Sequence, residues 1–498
     1  MLNITVLPQN TIVAAEKNTT LHNALIGGGV VFSANCGGNG KCGGCKVKLL
    51  KGEVEGVKAD ENGFILSCKA VLTEDIQIEL LEKDLEKINV VTLKNPKNTT
   101  DTGVALDLGT TTLAAVLVDL SSGEILKKAS CFNSQRVFGS DVLSRINAAK
   151  NGDLQRLQRI ALKQTNELLS ALSDGNLNLI KKLTVVGNTT MLHIFAGEDP
   201  SAIGTYPFTP VFLNTKILKG SELGINLPEI TLLPSASAYI GADITAGALA
   251  CDLLESKKNE LLVDVGTNGE IMLSAKGRLY ATSTAAGPAL EGASMECGLS
   301  GSAGAINKVF LRGGSFGFTT VENMPEIGIC GSGYVDIIAL LLRERLIDEN
   351  GDFIENSSSV LADRIKDNKF CLTEKIYLSR KDISEFQLAK SAIFSGIEAL
   401  LKHCDIGEEQ IGVLHLVGGM GYHINPLNAA ICGLIPLSLY SKVQTKENSA
   451  LEGAALCIID GENVKKTERI SQKTEVVELS FSENFQSGFI ENISFKNF

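Results

Sequence analysis

One turn that occurs twice constrains the fold of this chain more than any other feature. "GVALDLGTTTLAAVLVDL" runs as an apolar strand to Asp107, turns through Leu108-Gly109-Thr110-Thr111, and leaves as a second apolar strand that closes in a polar turn at Ser121–Gly123. "LLVDVGTNGEIML" repeats the plan 157 residues later, with Asp264, then Gly266-Thr267-Asn268-Gly269, then another strand. Strand, acid, tight turn and strand in the same order predict two similar halves built on hairpins.

The chemistry of these turns suits a nucleoside triphosphate. Backbone N–H groups in a Gly-Thr turn cradle phosphate oxygens, and threonine hydroxyls add donors. An aspartate at a strand end holds Mg²⁺, usually through water. Ordinary hairpin turns use the same residue types. One such turn is a weak signal, and two, each after an apolar strand, are a stronger one. A third element is "GVLHLVGGMGYHINPLNAAICG", where an apolar run ends at Val417 and Gly418-Gly419 open a turn into a helix. Glycines there let a flat purine lie against the backbone. A ligand-free strand-to-helix turn is common, so the ligand reading rests on the combination of all three elements. The sequence contains no G-x4-G-K-[ST], which removes a P-loop from consideration.

A different chemistry is concentrated near the start, in "CGGNGKCGGCKVKL". Cys36, Cys42 and Cys45 follow a C-x5-C-x2-C pattern, and Cys68 arrives after 22 further residues. Four thiolates are the usual complement of an iron–sulfur cluster. The sulfides of a two-iron cluster need hydrogen-bond donors, and Gly37, Gly38, Gly40, Gly43 and Gly44 let backbone N–H groups come close. Zinc also takes four cysteines, but its sites usually pair two Cys-x-x-Cys knuckles, and only one is present. A redox dithiol at Cys42 and Cys45 leaves Cys36 and Cys68 unexplained. Around the loop, "LNITVLPQ" and "NTIVAAEK" read as strands. "NTTLHNALIGGG" reads as a short helix capped by Thr19 or Thr20, and "KVKLLKGEV" and "DIQIEL" as further strands.

Composition sets the remaining limits. A chain of 498 residues, 44% hydrophobic and 21% charged, is an ordinary globular protein with room for several domains. No apolar run approaches a membrane span, and the start lacks the basic and apolar regions of a secretion signal. Twelve cysteines are therefore expected as ligands or buried thiols in a reducing cytoplasm. A net charge of −11 without a basic stripe argues against nucleic acid. Between Glu74 and Glu86 six acids stand against one lysine, a solvated face or a docking face for a redox partner. Residues 88–102 read as a linker that lets the cluster swing.

The three nucleotide elements resemble the phosphate-1, phosphate-2 and adenosine motifs of the superfamily joining acetate and sugar kinases, heat-shock chaperone ATPases and actin. The resemblance implies two ribonuclease-H-like halves around a nucleotide cleft that closes on binding. It implies that Asp107 and Asp264 place Mg²⁺ and that Gly109, Thr110, Thr111, Gly266, Thr267 and Asn268 hold the phosphates of ATP. Gly418 and Gly419 then border adenosine. Residues 1 to about 85 resemble a [2Fe-2S] ferredoxin domain of the β-grasp type, nearer the adrenodoxin-like group than the plant type, with a short interval before Cys68.

This domain order resembles the reductive activators of corrinoid-dependent methyltransferases. "FNSQRVFGSDVLSRI", "LPSASAYIGADITAG", "STAAGPALEGASMECG", "GICGSGYVDII" and the tail "VVELSFSENFQSGFIENISF" extend the resemblance over nearly the whole chain. It implies an ATP-hydrolysing activase that passes one electron from the cluster to a Co(II) corrinoid held by a partner protein, regenerating Co(I). The electron would come from a reductase or a low-potential ferredoxin, and a homodimer is left open. The short linker has no room for the extra domain that longer members carry there. Two alternatives stand beside this reading: an activator of another low-potential enzyme, such as a radical dehydratase or ring reductase, and a non-catalytic redox-sensing nucleotide-binding regulator.

The expected fold class is multidomain α+β and α/β. A β-grasp ferredoxin occupies 1–87, the linker 88–102, the first half of a duplicated actin-type ATPase 103–260 and the second 261–460. A tail, 461–498, packs on the ATPase. Asn188, in "KKLTVVGNTTMLHIFAG", either reaches the cleft or caps a helix. The eight cysteines from Cys131 to Cys457 show no ligand spacing and are expected as buried thiols.

Overall fold

A computed structural model describes residues 1–30, 32, 34, 38, 40, 44–81, 88–94, 101–292, 294–299, 301–479 and 482–496. They form two compact units, Met1–Ala242 with Ala454–Val464, and Asp243–Gly453 with Lys465–Phe498.

The first unit opens with the hairpin β1 (Leu2–Leu7) and β2 (Thr11–Ala15). Alternate residues Ile4, Val6, Val13 and Ala15 are buried, the period of two that puts one strand face on a core. Helix α1 (Leu21–Gly27) starts where the Thr20 side chain accepts the Asn23 N–H at 3.3 Å. Strands β3 (Lys46–Lys51), β4 (Phe64–Leu66) and β5 (Ile76–Glu79) complete a five-stranded sheet in the order β2-β1-β5-β3-β4, with β1 and β5 parallel. Two of the acids in the segment read as a solvated or docking face accept backbone hydrogen bonds. Glu74 accepts the Glu53 N–H at 2.8 Å and Asp75 accepts the Asn3 N–H at 2.9 Å. Glu82, Asp84 and Glu86 lie outside the described residues.

The segment expected as plain linker contains a strand. β6 (Asn89–Thr92) pairs antiparallel with β9 (Ile125–Phe132), from Ser130 opposite Asn89 to Lys127 opposite Thr92. Its two valines suit an edge strand, and pairing satisfies backbone groups that the polar surroundings gave no reason to expect satisfied. Residues 80–88 then separate this first sheet from the next one, a chain that fully stretched spans about 30 Å.

That next sheet is seven-stranded. β7 (Thr102–Leu108), β8 (Thr112–Asp119) and β9 form an antiparallel meander. β10 (Ile180–Val186) runs parallel to β7, and β11 (Lys216–Lys219) and β12 (Glu229–Leu232) lie beyond it, giving the order β11-β12-β10-β7-β8-β9-β6. All but one residue of β7 are buried, as a central strand covered on both faces requires. Helices α2 (Val142–Ala148), α3 (Leu154–Leu172) and α4 (Thr189–Ala196) belong to this unit. α3 buries Leu157, Ala161, Leu168 and Leu172, the three-to-four spacing of an amphipathic helix.

The second unit repeats the arrangement. β13 (Asn259–Val265), β14 (Gly269–Ala275) and β15 (Arg278–Thr284) form the meander. β16 (Ile411–Val417) runs parallel to β13, β17 (Val443–Thr445) parallel to β16, and β18 (Thr474–Val476) edges β15. The duplication extends to register. Asp107 stands opposite Val186, the last residue of β10, and Asp264 opposite Val417, the last residue of β16. Each parallel strand then leaves through a glycine with positive φ, Gly187 at 156° and Gly418 at 90°.

The core of the second unit forms where Leu261, Val263, Ile271 and Leu273 meet helices α5 (Gly331–Arg343) and α6 (Arg380–His403). α6 begins with a capping box in which Ser379 and Asp382 satisfy each other's backbone N–H groups. Helix α7 (Glu483–Glu491) of the tail packs on α6. The Ser391 hydroxyl donates to the Phe489 carbonyl at 2.5 Å and Lys390 Nζ to the Ser494 carbonyl at 2.7 Å. No helix of the described residues is long and apolar enough to cross a membrane.

Candidate functional site

The five-stranded sheet brings two of the four proposed ligands together. β3 starts just after Cys45 and β4 ends just before Cys68, and antiparallel pairing of these strands sets the two sulfurs 3.1 Å apart without a disulfide. Two thiolates that close repel each other unless a metal ion shares their charge. Cys36 and Cys42 lie outside the described residues. The surroundings fit a cluster. Ser67 is locked between the halves of the site, its N–H donating to the Cys45 carbonyl at 2.9 Å and its carbonyl accepting the His22 N–H at 3.0 Å. Its buried hydroxyl has no hydrogen-bond partner among the described residues, and neither has His22 Nδ1. His22 lies directly under Gly38 (φ 83°), where a Cβ would stand 2.5 Å from Nε2. Burial holds the His22 pKa below its ordinary value, so the ring is neutral. Gly38 thus stands against a neutral ring with hydrogen-bonding capacity to spare.

The first turn expected to hold phosphate, Gly109-Thr110-Thr111, joins β7 to β8. It is tight: a Cβ on Gly109 would stand 2.5 Å from the Thr112 carbonyl oxygen. Its three carbonyls are all taken from behind. Asn133 Nδ2 donates to Gly109 O at 2.8 Å, Arg145 to Thr110 O, and the Asn133 N–H to Thr111 O at 2.8 Å. A trans peptide points its C=O and the following N–H in opposite directions. The N–H groups of residues 110–112 are therefore aimed away from Asn133 and Arg145. Asn188 does both things the sequence allowed. Its Oδ1 caps α4 through the Met191 N–H at 3.0 Å, and its Nδ2 donates to the Thr110 hydroxyl at 2.8 Å.

Asn133 and Arg145 were not singled out by sequence, although both lie in "FNSQRVFGSDVLSRI". Both side chains are fully buried. Arg145 donates also to Gln135 Oε1 at 3.3 Å and Met191 Sδ at 3.0 Å, and its Nε has no partner. The acid acting on it, Asp141, is engaged by the N–H and hydroxyl of Ser144. Burial lowers its pKa to about 9, which leaves it charged at neutral pH. α3 braces the assembly: Gln164 Oε1 accepts the Ser134 N–H at 2.9 Å, and Gln135 Nε2 donates to the Leu157 carbonyl at 2.8 Å.

In the second unit the matching turn is Gly266-Thr267-Asn268, and a carboxylate already sits on it. Glu291 accepts the Thr267 N–H and the Thr267 hydroxyl, each at 3.1 Å. It comes from a short 3-10 turn, Pro288–Glu291, held between Gly287 (φ 75°) and Gly292 (φ 80°). Asp264 is the penultimate residue of β13 and is covered by Gly418, where a Cβ would approach its Oδ1 to 2.3 Å. Gly419 faces open space. Across the hairpin from Asp264 stands Glu270. Burial, with the negative charges of Asp243 and Asp264, pushes the Glu270 carboxyl well above its usual range. Three acids packed this way favour a bound proton or a cation. Asp264 was singled out by sequence, whereas Asp243, Glu270 and Glu291, which the structure sets beside it or on its turn, were not.

Other residues have plain structural roles. His415 lies in β16, buried, with Nε2 2.9 Å from Glu260. Among the remaining cysteines Cys297 and Cys371 are only half-buried, contrary to expectation, while the other six are buried.

Comparison with known proteins places this geometry. Residues 258–498 match the family model for the C-terminal domain of RACo, the ASKHA domain, and residues 102–256 that for the RACo middle region. Residues 4–73 match the 2Fe-2S iron-sulfur cluster binding domain. The middle-region model thus falls on the seven-stranded sheet and not on the segment read as linker. The corrinoid activation enzyme RamQ of Eubacterium limosum is 32% identical over 420 residues, 79% of this chain and 70% of that protein. The [Co(II) methylated amine-specific corrinoid protein] reductase of Methanosarcina barkeri is 23% identical over 431 residues, 79% of this chain and 77% of its own length. A solved structure, a reductive activator for corrinoid,iron-sulfur protein, superposes with a TM-score of 0.74 at 26% identity, over 99% of this chain and 98% of that one.

Proposed function

Because the chain belongs to the family of reductive activators of corrinoid proteins, with a two-iron ferredoxin domain ahead of an ASKHA ATPase, we propose that it uses ATP to drive one electron onto a partner's corrinoid. The cobalt is the substrate: Co(II) gains one electron and becomes Co(I). The observation that carries this reading is the union, in one chain, of two cysteine sulfurs brought together at Cys45 and Cys68 with two Asp–Gly-Thr turns in matching register.

Cys36, Cys42, Cys45 and Cys68 hold the [2Fe-2S] cluster. When bound, the cluster supplies a one-electron carrier. Asp107 and Asp264 place Mg²⁺. Gly109, Thr110, Thr111, Gly266, Thr267 and Asn268 bind the phosphates, and Gly418 and Gly419 border the adenosine. Reducing a corrinoid to Co(I) is thermodynamically demanding, and ATP-driven change in the activator alters the environment of the acceptor in the complex. The electron enters from a reductase or low-potential ferredoxin, in the cytoplasm, where free thiols persist.

The test mixes the anaerobically reduced protein with a Co(II) corrinoid protein and follows Co(I) absorbance. Co(I) forms with ATP and not with a non-hydrolysable analogue if the reading holds. Equal Co(I) formation without nucleotide, or none with any corrinoid partner, rejects it.

A further inference from the structure

The Gly109–Thr111 turn has a buried cation set against its Thr110 carbonyl. We propose that Arg145 and Asn133 are positioning residues that preset this turn for a phosphate-bearing anion, holding its three carbonyls so that its amide groups converge on the ligand. The inference rests on the nucleotide reading of the turn and names residues buried on its carbonyl side.

The argument runs from charge. A buried ion is normally paired, because removal from water is costly. Arg145 is fully buried, yet its hydrogen bonds go to a peptide carbonyl, a side-chain amide and a thioether sulfur, and its Nε has none. Asp141 is the acid that acts on it, and both of that carboxylate's oxygens are engaged by Ser144. Among the described residues no ion pair or hydrogen bond joins that carboxylate to the guanidinium, whose charge is therefore cancelled only at longer range. A donor on the Thr110 carbonyl polarises that peptide, and the next amide, the Thr111 N–H, becomes a stronger donor on the opposite side. Asn133 fixes the flanking carbonyls, Gly109 O and Thr111 O, at 2.8 Å each. Asn133 is itself clamped, its Oδ1 accepting the Gln135 N–H at 2.9 Å.

A merely structural arginine would be indifferent to what binds in front of the turn. The positioning role predicts selectivity for phosphate. The parent, Arg145→Met, Arg145→Lys and Asn133→Ala are titrated with ATP by calorimetry and with adenosine by ligand-observed NMR. Arg145→Met is expected to weaken ATP at least tenfold and adenosine less than twofold. Arg145→Lys, which keeps the charge without the fork, recovers part of the loss, and Asn133→Ala behaves like Arg145→Met. Equal losses for ATP and adenosine, or no loss for either, overturn the inference while the nucleotide reading survives. A parent that binds no ATP removes both. If the variants do not fold, the parent decides. Its melting temperature should rise with inorganic pyrophosphate above the value in chloride at equal ionic strength, and the absence of a rise overturns the proposal.

Discussion

Asn188 ties the start of α4 to the Gly109–Thr111 turn, accepting the Met191 N–H at 3.0 Å and donating to the Thr110 hydroxyl at 2.8 Å. The two bonds separate by mutation. Asn188→Ser keeps a cap acceptor and loses the reach to Thr110, whereas Asn188→Ala loses both. Serine should change stability by a few tenths of a kcal/mol and alanine by about 1 kcal/mol. Both should weaken ATP several-fold. Thermal unfolding beside calorimetric titration checks this, and a serine variant that binds ATP like the parent contradicts it.

Glu291 occupies two of the donors assigned to phosphate, the Thr267 N–H and hydroxyl. A phosphate oxygen cannot use them until the carboxylate leaves, and a carboxylate beside a phosphate is repelled. Glu291→Ala is therefore expected to tighten ATP binding, by severalfold to tenfold. Weaker binding in this variant would mean that Glu291 supports the ligand and does not compete with it.

Gly418 has a φ of 90° and leaves no room for a methyl group beside Asp264. Gly418→Ala must shift either the strand end or the Asp264 carboxylate. Mg²⁺-dependent ATP binding should fall at least tenfold, with less effect on binding measured in EDTA. Equal losses in both conditions would show a general distortion of the unit.

Lys390 gives a pH signature. Burial lowers its pKa from 10.5 to about 8, while its Nζ donates to the Ser494 carbonyl. The unfolded chain keeps this proton up to the ordinary lysine pKa, and the native state releases it near pH 8. Between these values the unfolded state binds more protons, so this group makes stability rise with pH. The full effect is on the order of 3 kcal/mol. Unfolding of Lys390→Met, measured from pH 7.5 to 10, should lack that slope relative to the parent. Parallel curves for the two proteins would contradict the assignment.

How much of this was readable before the fold is clearest at the two turns. Asp107 and Asp264 announce themselves because each ends an apolar strand before Gly and Thr, and pairing then sets them in the same register. Asn133 and Arg145 were hidden because their partners are backbone carbonyls 24 and 35 residues away. A carbonyl has no residue type, so no complementary side chain marks the contact. Glu291 carried a faint signal, an acid at the end of "GPALEG", whose outer glycines hold positive φ. The four-residue strand β6 owes its form to pairing with β9 and not to its own pattern. At the cluster, spacing indicated the loop, and antiparallel pairing of β3 with β4 joined Cys45 to the distant Cys68.

The coupling of the two chemistries is tested most directly by freeze-quench EPR. The protein is reduced by one electron without oxygen, freed of reductant, and mixed with a Co(II) corrinoid protein and ATP. The account predicts that the reduced-cluster signal and the Co(II) signal disappear together, one for one, and that both persist without ATP. Loss of the Co(II) signal while the cluster stays reduced, or cluster oxidation that leaves Co(II) unchanged, would contradict it.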